Sequence, residues 1–418
     1  MSTPNHNPEK KMPLSGIRVL DLSRILAAPT AAQMLGDFGA DVIKIERPGV
    51  GDDARRLGGK PLKDPSTGAV LPMGPMFLCA NRNKRSVTLD IAQPAGQAIV
   101  RQLVAVSDVL VENYKTGDLE RYGLDYASLR EINPRLVYCS VTGFGQTGPY
   151  AGRVGFDPAF QAMSGLLNAT GLPDGVPGGG PVRVGVPITD YIGGIYAYGA
   201  ILTALYHREQ VSGEGQHIDL SLLDCALSAM SSAGANYLAT GTLVGRTGQE
   251  SATSVPSRFF DCADGKVHIS APNDAIFVRL CEELGQSALA SDPRFATAAL
   301  RVTHRDVLNA LLEPVFRGRQ RAELTEALDR AKVPVAPLYD LADAYADPQV
   351  RHRGAAVDMH HPAVGDFRIG TNPIKFSASP ITGYTAPPML GEHTDEVLSG
   401  LLGLDRAQIL ALRANGIV

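Results

Sequence analysis

Residues 16–46 read GIRVLDLSRILAAPTAAQMLGDFGADVIKIE, and this stretch decides the fold class. Within it IRVLDL and DVIKIE are short apolar runs, each typical of a buried strand. Between them PTAAQMLGDFG has helical spacing, with Pro29 close to the first turn. A strand, a helix and a second strand predict a β-α-β unit and therefore an α/β protein with a parallel sheet. Such sheets bind ligands at the carboxyl ends of their strands, so we expect a site at the loop 23–28.

A second informative stretch, residues 181–205, reads PVRVGVPITDYIGGIYAYGAILTAL. Residues 191–206 carry no charge, which predicts a buried helix, and the run is shorter than the roughly 20 residues that a membrane span needs. Asp190 stands at the head of this helix, where its side chain is predicted to cap the first free N–H groups. The alternative is a carboxylate that the positive end of the helix keeps ionised, so that it can act as a nucleophile.

Length and composition set broad limits on the function. A chain of 418 residues predicts two or three domains, and 20% charged residues are ordinary for a globular protein. The net charge of −4 gives no reason to expect nucleic acid or an anionic membrane as a partner. Five scattered cysteines fit a reducing cytosol, and the start MSTPNHNPEKKMPL lacks the apolar core of a signal peptide. These observations predict a cytoplasmic protein.

Two apparent cofactor motifs fail on their context. Residues 143–148, GFGQTG, form G-x-G-x-x-G after a predicted strand, but Pro149 and further glycines follow. No helix is therefore expected to open there and bind a pyrophosphate. The histidines between residues 352 and 361 are too irregularly spaced for a zinc site. We expect neither a dinucleotide cofactor nor a bound metal.

A change in composition after about residue 235 divides the chain. Residues 1–207 are predicted to form the first part of a large domain that holds Asp190, followed by a linker at 208–234. Residues 235–332 combine loops, a strand and amphipathic helices, which predicts a smaller α+β domain. Residues 333–418 are predicted to be a second linker and the return to the large domain.

The sequence resembles the class III CoA-transferases, the family of formyl-CoA transferase and carnitine CoA-transferase. The run P-x-T-D-x-x-x-G-x-Y-A around Asp190 is similar to the catalytic segment of that family. The likeness also covers five other stretches, at 14–46, 81–90, 108–121, 137–149 and 386–394. It implies a large Rossmann-like domain with a parallel sheet, a smaller α+β domain and a homodimer of two interlocked rings.

The resemblance also implies an activity. Asp190 would be the nucleophile, and Asp157 a second carboxylate that orients the substrate or moves protons. The reaction would transfer coenzyme A from an acyl-CoA to a free carboxylic acid through an aspartyl-CoA thioester, with no permanently bound cofactor. Overall similarity favours succinyl-CoA as the donor and a dicarboxylic acid as the acceptor. From the residues alone, a helix cap or a loop aspartate is the simpler interpretation of both carboxylates.

The resemblance further assigns residues to coenzyme A. These fall on Leu26, Ala27, Arg47, Leu89, Asn113, Tyr114, Lys115, Arg121 and Phe156. Leu26 replaces a glutamine that closes over the site in formyl-CoA transferase, which weighs against oxalate-type chemistry. A second substrate carboxylate favours a bidentate partner, for which Arg24 is the first choice and Arg246 the second. A plain surface role is the alternative for both.

Two other functions fit the same fold, namely racemisation of a 2-methylacyl-CoA and binding of acyl-CoA without catalysis. Racemisation needs one proton-transfer group on each face of the α-carbon. The racemases that resemble this chain have a histidine where Phe156 stands, and phenylalanine has no proton to transfer. An intact Asp190 argues against binding without catalysis.

Overall fold

The computed structural model describes residues 11–418, so the prediction about the N-terminal stretch lies largely outside the described residues. Contacts within the chain divide these residues into two compact units. The large unit comprises residues 11–166, Val184–Thr240 and His352–Val418. The small unit comprises Leu167–Arg183 and Gly241–Arg351. No helix among the described residues is long and apolar enough to cross a membrane.

A six-stranded parallel sheet is the centre of the large unit. Its strands are β1 (Arg18–Asp21), β2 (Asp41–Glu46), β3 (Lys84–Thr88), β4 (Val109–Glu112), β5 (Val137–Thr142) and β6 (His217–Ser221). Their order is β3-β2-β1-β4-β5-β6, which confirms the predicted Rossmann-like parallel sheet. The order reverses between β1 and β4, and doubly wound sheets bind ligands in the crevice outside that point.

One face of the sheet carries the two helices that matter for the site. The first helix, Ala27–Asp37, packs against the Asp190 helix, Ile188–His207. Gly194 permits this close approach, since a Cβ there would lie 2.7 Å from the Ala27 carbonyl oxygen. The Asp190 helix is not wholly buried as predicted, because one apolar side is exposed at Tyr191, Ile195, Tyr196 and Tyr206. An uncharged sequence shows that a helix is apolar but not which face is covered.

The remaining elements of the large unit surround this sheet. Its other helices of regular α type are Pro75–Leu78, Pro94–Ala105, Tyr126–Arg130, Asp157–Met163, Leu222–Ala229, Ser231–Thr240, Thr394–Leu402 and Arg406–Ala414. Strands Ala356–His361 and Gly365–Gly370 form an antiparallel hairpin. The short helices Leu166–Ala169 and Pro348–His352 lie where the chain passes from one unit to the other.

The small unit is built around a three-stranded antiparallel sheet. Strands Ser257–Cys262, Gly265–Ser270 and Val335–Pro337 pair with Gly265–Ser270 in the middle. Its helices are Asp274–Glu283, Ser287–Ala290, Ala298–Thr303, Arg305–Arg317, Arg321–Arg330 and Leu341–Ala346. A further pair of two-residue strands joins Gly171–Leu172 to Gly180–Pro181. The unit has its own apolar core, in which the rings of Phe260 and Phe316 stack 4.2 Å apart.

The limits of the units differ from the predicted domain limits. The predicted linker 208–234 contains β6, which pairs with β5, and the helix Leu222–Ala229. The small unit extends to Arg351 and takes in the Gly- and Pro-rich segment Leu167–Arg183. Both differences involve pairing partners far away in the sequence, which local composition does not reveal.

Candidate active site

Two adjoining cavities lie in the large unit at the carboxyl ends of the strands. The Asp190 cavity, of about 320 Å³, is lined by eight of the predicted site residues, namely Arg24, Leu26, Ala27, Asn113, Tyr114, Lys115, Phe156 and Asp190. The Arg47 cavity, of about 500 Å³, is lined by Arg47, Leu89 and Arg121, and also by Arg24 and Tyr114. Arg24 and Tyr114 thus belong to the wall between the two cavities. The structure therefore brings together eleven predicted residues from segments that lie far apart in the sequence.

The loops after β1 and β4 are joined by contacts between Arg24 and the pair Asn113 and Tyr114. The amide oxygen of Asn113 accepts from the Arg24 backbone N–H at 2.8 Å, and its nitrogen donates to the Arg24 carbonyl at 2.7 Å. The Arg24 guanidinium lies over the ring of Tyr114, 5.0 Å from its centre. These contacts cross the point where the strand order reverses, so they fix the floor of the crevice.

The loop after β1 is held in an unusual conformation. Ile25 has a φ of 70°, in the left-handed region that a β-branched residue rarely adopts. Its backbone N–H donates to the buried carboxylate of Asp52 at 3.0 Å. The Lys44 ammonium lies 2.9 Å from the same carboxylate and donates to the Ser23 carbonyl at 2.8 Å. Lys44 and Asp52 are not among the residues predicted from the sequence, although a lysine within the apolar strand DVIKIE indicates a buried charge.

The buried lysine stays charged because of its neighbours. Burial alone would lower the pKa of Lys44, but the carboxylates of Asp52 and Asp21 outweigh this effect and raise it. A buried charge of this kind is stable only when it is paired and hydrogen-bonded. The pair therefore fixes the loop that leads into the first helix.

Asp190 lies in the first turn of its helix and not at the cap. The helix begins at Ile188, and the cap position is taken by Pro187, whose side chain makes no capping hydrogen bond. The prediction that Asp190 caps the helix is therefore wrong. Its side chain is half-buried and lines the cavity beside Phe156 and Gly143.

The cap of the Asp190 helix comes from Asp157. One carboxylate oxygen of Asp157 accepts from the backbone N–H of Thr189 at 2.8 Å and from the Thr189 hydroxyl at 2.6 Å. The other oxygen accepts from the Gln161 side chain at 2.7 Å, and Gln161 in turn accepts from the Val184 N–H. Asp157 is 4% exposed and does not line the cavity. A cap from 32 residues away leaves no local pattern, which explains why the sequence indicated the wrong cap.

The electrostatic setting of Asp190 opposes its ionisation. Burial, and then the negative charge of Asp157, raise the pKa of Asp190 to about 7. This differs from the expectation that the positive end of the helix keeps Asp190 ionised. Desolvation and a like charge outweigh the helix at this position.

The glycine-rich run after β5 forms turns, and the next helix begins at Asp157. A Cβ on Gly143 or Gly155 would lie 2.8 or 2.7 Å from the ring of Phe160. The two glycines therefore allow this ring to pack under the run. Gly143 also lines the Asp190 cavity, so the run forms part of its wall.

Arg246 belongs to the small unit, where its guanidinium is fully engaged. It donates to the carbonyl of Leu172 at 3.1 Å, to the backbone and side-chain oxygens of Asn168 at 3.1 Å, and to Asp174. These contacts attach the segment Leu167–Arg183 to the rest of the small unit.

Arg153 is a further residue that was not predicted from the sequence. This exposed residue lines the Asp190 cavity together with Val154 and Leu222. Only Val154 separates it from the motif GFD, but an isolated arginine in a loop has no pattern that marks it. Among residues 11–418 no cluster of histidine, cysteine and acidic side chains could hold a metal ion.

These features define an α/β protein with a half-buried carboxylate at a helix start, in a cavity that continues into a second one lined by arginines. The model of CoA-transferase family III matches residues 14–394, and the chain belongs to that family. This confirms the predicted family and class of enzyme.

The similar proteins cover nearly the whole chain. The chain is 42% identical to the succinate–glutarate CoA-transferase of Agrobacterium fabrum, over 96% of this chain and 98% of that protein. It is 37% identical to the succinyl-CoA:glutarate CoA-transferase of Homo sapiens, over 97% and 90%. Among solved structures, a CAIB/BAIF family protein from Brucella suis matches with a TM-score of 0.85 and 40% identity, covering 94% and 100% of the two chains.

Proposed function

We propose that this protein transfers coenzyme A from succinyl-CoA to a free dicarboxylic acid through a thioester on Asp190. The observation that carries the proposal is the position of Asp190. Its half-buried carboxylate lines the same cavity as Ala27, Tyr114 and Phe156, three of the residues matched to coenzyme A. The two named relatives, both transferases that use glutarate according to their names, support the choice of donor and acceptor.

The reaction proceeds in two equivalent halves. The Asp190 carboxylate attacks the thioester carbon of succinyl-CoA, the C–S bond breaks, and an aspartyl–succinyl anhydride and CoA thiolate form. The thiolate attacks the Asp190 carbonyl, succinate leaves, and the enzyme carries an aspartyl-CoA thioester. The acceptor carboxylate then attacks this thioester and releases the thiolate, which attacks the acceptor carbonyl and regenerates the Asp190 carboxylate. Each attack passes through an oxyanion that positioned N–H donors can stabilise.

The two cavities divide the CoA ester between them. Arg47 and Arg121 line the Arg47 cavity, and their guanidinium groups suit the phosphates of coenzyme A. The chain of the cofactor passes Arg24 and Tyr114 at the shared wall. Its thioester then lies among Leu26, Ala27 and Phe156 beside Asp190.

Asp157 is a positioning residue in this proposal. Its two carboxylate oxygens are occupied by Thr189 and Gln161, so it holds the start of the Asp190 helix, and its charge adds to burial in raising the pKa of the nucleophile. The full engagement of Arg246 within the small unit supports a structural role for that residue.

Racemisation lacks a base at the position where the racemases that resemble this chain have a histidine. Phe156 stands at the position in question with 72% of its surface exposed, and its ring has no proton to exchange. We expect no deuterium from heavy water at the α-carbon of a 2-methylacyl-CoA. The measurement is mass spectrometry of the recovered ester, and rapid incorporation without any acceptor acid would favour the racemase.

We also propose that the protein is a cytoplasmic homodimer. The exposed apolar side chains of the Asp190 helix support a second copy as their cover, since monomers rarely expose large apolar patches. The five cysteines are all free, which supports a reducing compartment.

A panel of free acids tests the proposed function. The enzyme is incubated with succinyl-CoA and, in turn, glutarate, malate, citramalate, oxalate and butyrate, and the CoA esters are separated by chromatography. We expect a new CoA ester and an equal amount of succinate with one or more of the dicarboxylic acids. Hydrolysis to free coenzyme A without any new ester would contradict a transferase.

A further inference from the structure

We propose that Arg153 binds the carboxylate that does not react, on both donor and acceptor, and so makes the enzyme selective for dicarboxylic acyl groups. This inference rests on the proposed function, because it assumes that CoA moves between two carboxylic acids. It names a residue that neither the sequence motifs nor the resemblance assigned.

Three cationic side chains line the Asp190 cavity, and they differ in position. Arg24 lies over Tyr114 in the wall shared with the Arg47 cavity, so it faces the route of coenzyme A. Lys115 directly follows Tyr114 in the segment matched to coenzyme A. Arg153, like Lys115, lines the Asp190 cavity but not the Arg47 cavity. Of the three, Arg153 alone belongs neither to the shared wall nor to the segment matched to coenzyme A, so we place it on the acyl side.

The guanidinium of Arg153 is held by stacking and keeps its donors available. Its central carbon lies 3.9 Å from the centre of the Tyr150 ring, and Tyr150 in turn packs edge-on against Phe144. Among the residues that the structure describes, the Arg153 side chain forms no ion pair. A stacked arginine presents its planar N–H groups outward, in the geometry that binds a carboxylate through two hydrogen bonds.

The segment that carries Arg153 is tied to the nucleophile. Asp157, four residues further on, holds the start of the Asp190 helix through Thr189. Gly155, between them, packs against Phe160, which is fully buried. The loop therefore has a fixed anchor close to Arg153, and this favours a defined distance between the guanidinium and Asp190.

One binding position serves both halves of the reaction. The leaving succinate and the entering acid each react at Asp190, so their second carboxylates occupy the same end of the cavity. A monocarboxylic acid would leave the Arg153 charge unpaired there. Sites built to bind a charged group discriminate strongly against analogues that lack it.

The test compares matched acids and matched donors on Arg153→Gln and wild type. The acceptors are glutarate and valerate, which have the same number of carbon atoms, and the donors are succinyl-CoA and butyryl-CoA. We expect the preference for the dicarboxylic member of each pair, as a ratio of kcat/KM, to fall by about 10²-fold. Arg153→Lys should recover part of the preference, since it keeps the charge but not the planar fork.

Inhibition by free coenzyme A is the control that separates acyl from CoA binding. We expect the same inhibition constant for wild type and Arg153→Gln, whereas Lys115→Gln should weaken inhibition by coenzyme A and slow all acids alike. An equal loss with glutarate and valerate, or an unchanged preference, would overturn the assignment of Arg153. A wild-type enzyme that forms no new CoA ester with any acid would overturn the proposed function itself, and the assignment with it.

Discussion

In the proposed mechanism, the ionisation of Asp190 is the residue-level property that matters most for activity. Only the carboxylate is a nucleophile, and burial together with Asp157 raises the pKa of Asp190 to about 7. The same desolvation that makes ionisation costly also makes the carboxylate more reactive once it is formed.

Activity should therefore depend on pH near neutrality. As the pH rises through about 7, Asp190 loses its proton, so kcat/KM for the acyl-CoA should rise and then level off. The measurement is the initial rate at low substrate concentration from about pH 5.5 to about pH 8.5, a range that brackets the pKa of Asp190 on both sides. A flat profile across this window would show that Asp190 titrates elsewhere.

Glu112 allows a separate prediction about stability. This buried carboxyl accepts from the Tyr114 N–H at 2.7 Å, and burial raises its pKa to about 7 although hydrogen bonds from Ser140 and Tyr114 oppose the shift. Because the pKa of Glu112 is higher in the folded protein than in the unfolded chain, the folded protein holds this proton to a higher pH. The free energy of unfolding therefore falls as the pH rises towards the folded-state pKa, and the contribution of protonated Glu112 is lost as the pH passes about 7.

The substitution Glu112→Gln should remove that dependence. We expect it to raise the free energy of unfolding at pH 8 by on the order of 2 kcal/mol and to have little effect at pH 5. Urea unfolding at the two pH values measures the difference, with Glu120→Gln as the matched control because Glu120 is exposed on the same segment. Equal effects of Glu112→Gln at both pH values would contradict the assigned ionisation.

At the scale of elements, the start of the Asp190 helix couples two carboxylates. Asp157 caps the helix and, through its charge, disfavours the ionised form of Asp190. The two effects can be separated by substitution, because Asn keeps an acceptor for Thr189 but removes the charge.

The substitution Asp157→Asn should shift the pH profile to lower pH. Removal of the like charge lowers the pKa of Asp190, so the midpoint of the rise in kcat/KM should fall below that of wild type. Thr189→Val is the control, since it removes one hydrogen bond to Asp157, costs about 1 kcal/mol of stability and keeps the charge. If both variants moved the midpoint equally, geometry and not charge would set the pKa.

Local sequence patterns predicted the elements but not the contacts between them. The β-α-β unit at 16–46 was recognisable because strand and helix periodicities are local properties. The cap of the Asp190 helix was not, because Asp157 and Thr189 meet only in the folded chain. For the same reason Lys44, Asp52 and Arg153 could not be placed beside the site.

For the whole molecule, the exposed apolar face of the Asp190 helix bears on assembly. Residues 231–240 also expose apolar side chains, with Tyr237 and Leu238 largely exposed. Rings that interlock cannot separate without unfolding, so folding and association would be a single event.

Dilution should therefore not produce a folded monomer. We expect sedimentation velocity to show one dimeric species from micromolar to nanomolar concentration, and unfolding midpoints to rise with protein concentration. A native monomer that is stable on dilution would exclude the interlocked arrangement.

Across the whole chain, the site residues were easier to predict from the sequence than the limits of the two units. Eleven of the thirteen predicted site residues line the two cavities, because the resemblance supplied positions from several separate segments between Arg24 and Asp190. The limits of the two units were harder to predict. The strand β6 joins the sheet by pairing with β5, and the whole Asp190 helix lies between these two strands in the sequence.

The most direct test of the central claim is to trap the covalent intermediate. Wild-type enzyme is incubated with succinyl-CoA in the absence of any acceptor acid, digested, and analysed by mass spectrometry, with Asp190→Asn as the control. That variant keeps the size of the side chain, removes the nucleophile and should lose at least about 10³-fold in activity. We expect coenzyme A attached through a thioester to the peptide that contains Asp190, and no such adduct on the variant. An unmodified Asp190 peptide in active wild-type enzyme, or near-normal turnover by Asp190→Asn, would contradict the account.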